Sequence, residues 1–225
     1  MSFTKISLKR FRCFEELELD LSPGVNFFYG TNGSGKTSIL ESIFMFSSGK
    51  SFKSSNIASL INYKFDNFSL RAFDSERGYV AEIRKNINKP ISVQLNNSKI
   101  TTSKLIREFP CSPIHNNTFS FADAPPEFRR KLLDRSIFIA DEQFSSTWFS
   151  FYRSLKQRNS SLKKGTRDEI PVWNNSFIKE GESLSCLRRS FFELTLLEFE
   201  NFLNLTKPNN IFSFFNDINI TFFNG

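Results

Sequence analysis

One segment of the sequence combines glycines, a lysine and hydroxyl side chains at the spacing of a phosphate-binding loop. Residues 30–37, Gly-Thr-Asn-Gly-Ser-Gly-Lys-Thr, match the pattern G-x-x-x-x-G-K-[ST]. Glycines permit positive φ angles and a close approach of the backbone, so successive N–H groups can surround anionic oxygens. The residues predicted to bind a nucleotide are Gly30, Thr31, Asn32, Gly33, Ser34, Gly35, Lys36, Thr37 and Ser38.

Three side chains of this loop have distinct expected roles. Lys36 should reach the β- and γ-phosphates, the Thr37 hydroxyl should hold Mg²⁺, and Ser38 should cap the following helix or touch an α-phosphate oxygen. The predicted cofactors are therefore ATP, or another nucleoside triphosphate, and Mg²⁺. Hydrolysis needs more, namely an acidic Mg²⁺ partner at the end of another strand and a carboxylate that positions water.

The elements beside the loop must hold it in place. Val25–Tyr29 is mostly apolar, which predicts a buried strand that leads into the loop. From Ile39 to Phe44 apolar residues recur at helical spacing, and Gly49 predicts the end of that helix. This order of strand, loop and helix makes a chance Gly/Ser turn the weaker alternative.

The remaining chain changes from a strand period to a helix period near Pro126. Apolar and polar residues alternate over residues 6–21 and again over 68–102, which predicts strands and an antiparallel meander. Residues 173–206 predict a long amphipathic helix of about 50 Å, ended by Pro208. Alternation then returns near the last residues as a further strand.

The run Ile137–Ala140, followed by Asp141 and Glu142, allows two interpretations. Four apolar residues before two acids are typical of a strand that presents one carboxylate to Mg²⁺ and the other to water. However, no Gly or Pro interrupts the residues before the run, and Phe144 and Trp148 continue a helical spacing after it. We favour a helix. The strand remains the alternative in which the chain is a small stand-alone P-loop NTPase that uses both acids.

The composition is that of a globular protein with excess positive charge. The 225 residues are 39% hydrophobic and 24% charged, and every apolar run is far shorter than the roughly 20 residues that cross a bilayer. The three cysteines lie far apart, which indicates reduced thiols. We therefore expect a cytoplasmic protein without a membrane partner. Its net charge of +7 favours polyanionic partners.

Two sets of basic residues are candidate phosphate contacts. Lys156, Arg158, Lys163 and Lys164 lie in a stretch without acids and could follow a DNA backbone. Such a run is also typical of a solvated helix face. Arg12, between the first two predicted strands, could contact the nucleotide or lie on the surface.

Several motifs occur in the order found in one known family. They are LKRFRCF at 8–14, GTNGSGKTSILESIF at 30–44, SSGKSF at 47–52, EFRRKLLD at 127–134 and YRSLKQRNSSLKK at 152–164. On these motifs the chain resembles the RecF family of DNA recombination and repair ATPases, relatives of the SMC and ABC-type ATPase heads. The likeness covers nearly the whole chain and corresponds to the N-terminal portion of the family's members.

The resemblance implies an α/β fold. The expected structure is an ABC/SMC-like P-loop ATPase half-head, with mixed and antiparallel β-structure around the P-loop, and a helical lid or arm. Residues 1–110 would form the N-terminal ATPase lobe and 111–210 the helical arm. Residues 211–225 would form a strand that returns toward the ATPase lobe, whose head is incomplete.

The resemblance also implies a function. Members of the family bind ATP, dimerise on it, and bind DNA at gaps and at junctions of single and double strands. With RecO and RecR they support RecA loading and the SOS response, as cytoplasmic, nucleoid-associated proteins. The family's signature segment and Walker B carboxylates have no counterpart in these 225 residues. We therefore expect ATP binding with weak or no hydrolysis, and the alternative is a truncated, non-hydrolysing ATP-binding fragment.

Overall fold

The chain divides into two units, Met1–Thr118 and Phe119–Gly225. The computed structural model describes residues 3–114, 124–206 and 221–222. The sequence predicted a boundary between residues 110 and 111, whereas the two units meet between residues 118 and 119. The strand expected over residues 211–225 lies outside the described residues except for Thr221 and Phe222, which belong to no strand.

The first unit contains one six-stranded sheet, and every described pair of neighbouring strands in it is antiparallel. Its order is β2-β1-β3-β4-β5-β6. The strands are β1 Lys5–Phe11, β2 Phe14–Asp20, β3 Asn67–Asp74, β4 Tyr79–Asn86, β5 Ser92–Leu95 and β6 Ser98–Lys99. The alternating pattern of the sequence therefore predicted both the N-terminal strands and the meander correctly.

Alternation also explains where the core of this unit lies. Leu8 of β1 stands opposite Leu17 of β2 and Leu70 of β3, and Leu8 and Leu70 are fully buried. Side chains at every second position of a strand point to one face, so the apolar set of each strand is buried together. Ile83 of β4 continues this buried layer.

Two helices and a short 3-10 helix complete the first unit. Helix α1 is Lys36–Ser48, the 3-10 helix is Ile57–Leu60 and helix α2 is Thr102–Glu108. Helix α1 packs against the sheet through buried residues that include Met45 and Phe46. It ends at Gly49 as predicted, with φ of 63° and an N–H that donates to the Met45 carbonyl at 2.8 Å.

The second unit is helical in its described part. Helix α3 is Pro126–Ala140, α4 is Phe144–Lys164 and α5 is Ile170–Thr206, with a 3-10 turn at Arg167–Glu169 before α5. The 37 residues of α5 span about 55 Å at 1.5 Å per residue, close to the predicted length. Buried Ile137, Phe144 and Leu184, one from each helix, form the core.

The predicted buried strand at Val25–Tyr29 is wrong. The segment has no regular secondary structure and lies outside the sheet, and Val25, Phe27 and Tyr29 are 75%, 85% and 93% exposed. Apolar residues indicate which side chains favour burial, whereas a strand also needs a neighbour for its backbone bonds. Within residues 3–114, the sheet has β2 and β6 at its edges and neither pairs with this segment.

None of the helices in the described ranges has the length and apolar character needed to cross a membrane.

Candidate nucleotide-binding site

The P-loop adopts a conformation that its glycines make possible. Gly33 and Gly35 have φ angles of 85° and 92°, in the left-handed region that side chains disfavour. A Cβ atom added to Gly35 would lie 2.3 Å from Cζ of Phe14 and 2.9 Å from Sγ of Cys13. The turn between β1 and β2 thus packs so closely on the loop that only glycine fits at this position.

The P-loop presents positive charge from both its lysine and its helix. The Lys36 ammonium group donates to the carbonyl oxygens of Gly30 at 2.9 Å and Thr31 at 2.8 Å, so it lies across the curve of the loop. Helix α1 starts at Lys36 and has no acidic residue in its first turn. Its first N–H groups therefore offer an uncompensated positive partial charge to an anion.

The predicted capping role of Ser38 is not observed. The N-cap position of α1 is Gly35, which has no side chain, and no side-chain hydrogen bond caps the helix. Ser38 lies at the third helical position and lines the larger of two cavities beside the P-loop.

Two concave surfaces flank the loop. A cavity of about 360 Å³ lies on the side of Phe27–Thr31 and includes Lys36. A second cavity of about 580 Å³ combines the P-loop with the β1–β2 turn and the segment around the 3-10 helix. Its lining residues are Arg12, Cys13, Asn32, Gly33, Gly35, Lys36, Thr37, Ser38, Lys53, Ser59, Ile61 and Tyr63.

The site has one predicted Mg²⁺ ligand among its own side chains. Thr37 is exposed and lines the second cavity beside Lys36. Over residues 3–114, 124–206 and 221–222, no group of three or more His, Cys, Asp or Glu side chains could hold a metal. This donor set fits Mg²⁺ held chiefly by phosphate oxygens and water with one hydroxyl from the protein.

Arg12 lies at the wall of the second cavity, next to the P-loop. Its Nε and Nη2 atoms donate to Oε2 and Oε1 of Glu41, each at 2.9 Å. Sequence reasoning named Arg12 but missed Glu41, which is completely buried in the middle of α1. A possible signal was an acid placed within the apolar run from Ile39 to Phe44.

The sequence also matches a known family model over most of its length. The AAA_23 model, described as an AAA domain, matches residues 5–222. The chain belongs to the AAA_23 family. The match includes the P-loop and both units of this AAA_23 chain.

Similar proteins confirm the resemblance to RecF. The AAA_23 chain is 34% identical over 197 residues to the DNA replication and repair protein RecF of Cronobacter sakazakii, covering 86% of this chain and 55% of that one. It is 35% identical over 199 residues to RecF of Pseudoalteromonas translucida, covering 85% and 54%. The chain thus spans about half the length of the curated relatives it matches.

A solved structure confirms the predicted α/β fold class, a P-loop ATPase half-head with a helical arm. The recombination mediator protein RecF-ATPrS of the RecFOR pathway aligns with a TM-score of 0.75 at 24% identity, covering 85% of this chain and 54% of that chain. A structure of RecF-ATP aligns with a TM-score of 0.71 over the same shares. At this level of identity the likeness establishes the fold.

The strand interpretation of the run before Asp141 is wrong. Ile137 and Ala140 belong to α3, and Asp141 follows as its C-cap with an N–H that donates to the Ile137 carbonyl at 2.7 Å. The run is helical because Ile137 packs with Phe144 and Leu184 in a core formed by three helices. A strand at this place would have no neighbouring strand to pair with among the described residues. Asp141 and Glu142 therefore do not stand at the end of a strand.

The four predicted DNA contacts of the AAA_23 chain fall into two groups. Lys156, Lys163 and Lys164 are exposed on α4, within about 100° of one another at 3.6 residues per turn. Arg158 points elsewhere, since its Nε donates to Oδ1 of Asn174 at 2.6 Å and its guanidinium lies 5.4 Å from the ring centre of Phe177. The structure thus gives Arg158 a role in packing α4 on α5.

Proposed function

We propose that this chain binds ATP with Mg²⁺ at its P-loop and acts in a RecF-like DNA replication and repair protein. The observation that carries the proposal is the loop itself: left-handed glycines, a lysine across the loop and an open helix N-terminus. Membership of the AAA_23 family and the similarity to RecF-ATP support the same ligand. In the proposed complex, Lys36 binds the β- and γ-phosphates and Thr37 supplies one Mg²⁺ ligand.

Titration with a fluorescent ATP analogue tests this site. Lys36→Ala should weaken binding by about 10- to 100-fold, because it removes a charged hydrogen-bond donor from the phosphates. Lys89→Ala removes a lysine that is exposed on the same unit and serves as the control. Equal affinity in wild type and Lys36→Ala would contradict the proposal.

We propose that the chain alone binds ATP without appreciable hydrolysis. In the described part of the chain, neither cavity beside the P-loop has an acidic side chain in its lining. Hydrolysis requires a carboxylate that positions water and an acidic Mg²⁺ partner. The wild-type chain should therefore release phosphate from ATP no faster than Lys36→Ala does. If the wild type released phosphate faster, and Glu142→Gln abolished that release, a stand-alone NTPase would be favoured instead.

DNA is the proposed polyanionic partner, at gaps and at junctions between single and double strands. The exposed Lys156, Lys163 and Lys164 on one side of α4 support this contact. The proposed role extends to RecA loading and the SOS response with RecR- and RecO-type partners, to an ATP-dependent homodimer, and to a cytoplasmic, nucleoid-associated location. All of these rest on the resemblance to RecF.

Fluorescence anisotropy with a gapped duplex over a salt series tests the DNA contact. The plot of log affinity against log salt has a negative slope, and replacing the three α4 lysines by Gln should reduce its absolute value by about two to three, near 0.9 per lost phosphate contact. A triple Gln variant at the exposed Lys89, Lys99 and Lys104 is the charge-matched control. Equal slopes in the two triple variants would remove α4 from the interface.

Light scattering coupled to gel filtration tests the proposed dimer. The molar mass should double when ATP and Mg²⁺ are present and remain that of a 26.1 kDa monomer with Lys36→Ala. A mass that is independent of nucleotide would contradict ATP-dependent dimerisation by this chain.

A further inference from the structure

A buried carboxylate lies directly behind the nucleotide site. Glu41 is on α1, one and a half turns after Lys36, and its side chain is completely buried. It accepts two hydrogen bonds from Arg12 and one from the Ser51 hydroxyl. Burial acts to raise the pKa of Glu41, but the hydrogen bonds from Arg12 and Ser51 outweigh it, and the pKa lies below its usual 4.5. Glu41 is therefore charged at neutral pH.

The guanidinium of Arg12 has donors beyond those that Glu41 uses. Of its five N–H groups, the carboxylate takes two and the Ser59 carbonyl takes one at 3.5 Å. The Arg12 side chain is 26% exposed and lines the cavity that contains Lys36 and Thr37. Its cationic group is thus held by Glu41 on one side and adjoins the P-loop cavity on the other.

The backbone of Arg12 is held as firmly as its side chain. It has φ of 53°, and its N–H donates to the Leu60 carbonyl at 2.7 Å. A non-glycine residue in this conformation persists only where its surroundings impose it. The turn that carries Arg12 is also the turn that packs against Gly35 of the P-loop.

Glu41 organises a second cation through Ser51. The Ser51 hydroxyl donates to Glu41, and its oxygen accepts the N–H groups of Lys53 at 2.9 Å and Ser54 at 2.8 Å. These bonds fix the turn that carries Lys53, whose side chain lines the same cavity as Arg12. One carboxylate therefore sets the position of two cations beside the P-loop.

We propose that Glu41 is a positioning residue of the nucleotide site, holding Arg12 directly and Lys53 through Ser51 so that both cations bind the triphosphate. This inference rests on the proposed binding of ATP at the P-loop. An arginine held by a carboxylate keeps its fork in one orientation, so little rotamer freedom is lost when it meets a phosphate. Glu41 itself touches no ligand in this arrangement.

A double-mutant cycle on nucleotide affinity tests the inference. Glu41→Gln keeps the shape of the side chain but replaces one acceptor oxygen by an NH₂ group, which faces the donors of Arg12. We expect about 10-fold weaker binding of the fluorescent ATP analogue and of inorganic tripolyphosphate used as a competitor. In an Arg12→Ala/Lys53→Ala background, Glu41→Gln should change the affinity less than about twofold, because Glu41 acts through those residues.

Glu82→Gln is the matched control for a purely structural effect. Glu82 is also buried, on β4, and is paired with Arg71 and Arg84 in the same unit but outside both cavities. The Glu82→Gln variant should lower the melting temperature about as much as Glu41→Gln does, and it should leave nucleotide affinity unchanged. Equal affinity losses in the two variants would assign Glu41 a structural role only.

A further variant keeps the test decisive if Glu41→Gln does not fold. Arg12→Lys retains the charge but loses the two-pronged contact, and it should weaken binding by about 3- to 10-fold. If Lys36→Ala weakens binding and Arg12→Lys and Glu41→Gln do not, the positioning role is wrong and the P-loop site stands. If Lys36→Ala has no effect, the proposed function itself fails.

Discussion

Each unit of the chain holds a buried carboxylate against the fork of an arginine, but the two pairs have different surroundings. In the first unit Glu41 binds Arg12, which lies beside the P-loop and is 26% exposed. In the second unit Asp134 of α3 binds Arg188 of α5, which is 11% exposed. The first pair adjoins a cavity beside the P-loop, and we propose that it positions a cation for the nucleotide. The second pair is enclosed between helices, and we expect it to stabilise their packing.

The pair in the second unit connects all three helices. Nε and Nη2 of Arg188 donate to Oδ1 and Oδ2 of Asp134 at 2.6 and 2.7 Å. Nε1 of Trp148, on α4, donates to Oδ2 of Asp134 at 3.1 Å. A network that joins one side chain from each helix fixes the packing of the bundle, and we expect its loss to affect folding.

The largest expected effect on stability comes from breaking this second pair. Asp134→Ala should lower the free energy of unfolding by about 3–5 kcal/mol, because it leaves the Arg188 charge buried without its carboxylate partner. Urea unfolding measures the change, and ATP affinity measured at low temperature should stay the same. Asp168→Ala removes an exposed aspartate of the same unit and should change stability by less than about 0.5 kcal/mol. A similar small change for Asp134→Ala would show that the pair does not hold the helices.

Replacing both members of each pair by apolar residues sharpens the comparison. Asp134→Leu/Arg188→Met should lower the free energy of unfolding by less than Asp134→Ala does, by about 1–2 kcal/mol, because no unpaired charge remains and only the Trp148 N–H loses its acceptor. Glu41→Leu/Arg12→Met should likewise fold, yet bind ATP about 10-fold more weakly, because a cation has left the cavity. If both double variants kept full ATP affinity, the functional distinction between the pairs would be lost.

The sequence predicted the strands of the sheet, helix α1 and the helices of the second unit, but it predicted neither α2 nor either of these pairs. Strand and helix periods are local, so β1–β6 and α3–α5 follow from residues that lie close together in the chain. The P-loop follows in the same way from eight consecutive residues. Arg12 and Glu41 lie 29 residues apart, and Asp134 and Arg188 lie 54 apart, so only the folded chain brings them together.

Residue type also misled prediction at particular positions. A glutamate is rarely buried completely, so its residue type gave no reason to single out Glu41 as a buried partner of Arg12. Arg158 was predicted to contact phosphate because of the basic residues around it, and that pattern gave no sign of its partners Asn174 and Phe177 on another helix. Val25–Tyr29 read as buried because it is apolar, although burial also depends on what packs beside it.

The smallest effect that we predict is a difference in acid stability within the first unit. The pKa values of Glu41 and Glu82 lie below their usual 4.5, in both cases because hydrogen bonds from arginines and serines outweigh the opposing effect of burial. The folded pKa is lower than the unfolded one, so both groups contribute their full stability above about pH 4.5. That contribution is lost as the pH falls through the folded values.

Urea unfolding at several pH values between 7 and 3 measures this loss. Glu41→Gln has no carboxyl group to protonate at this position, so its stability should be lower than wild type at pH 7 and should fall less steeply in acid. The two curves should therefore converge as the pH approaches 3. Glu82→Gln should show the same convergence, since acid stability depends on the buried charge and not on the nearby P-loop. Parallel curves for wild type and Glu41→Gln would mean that Glu41 is not held as a buried anion, and the contrast with Asp134 would then have to rest on ATP affinity alone.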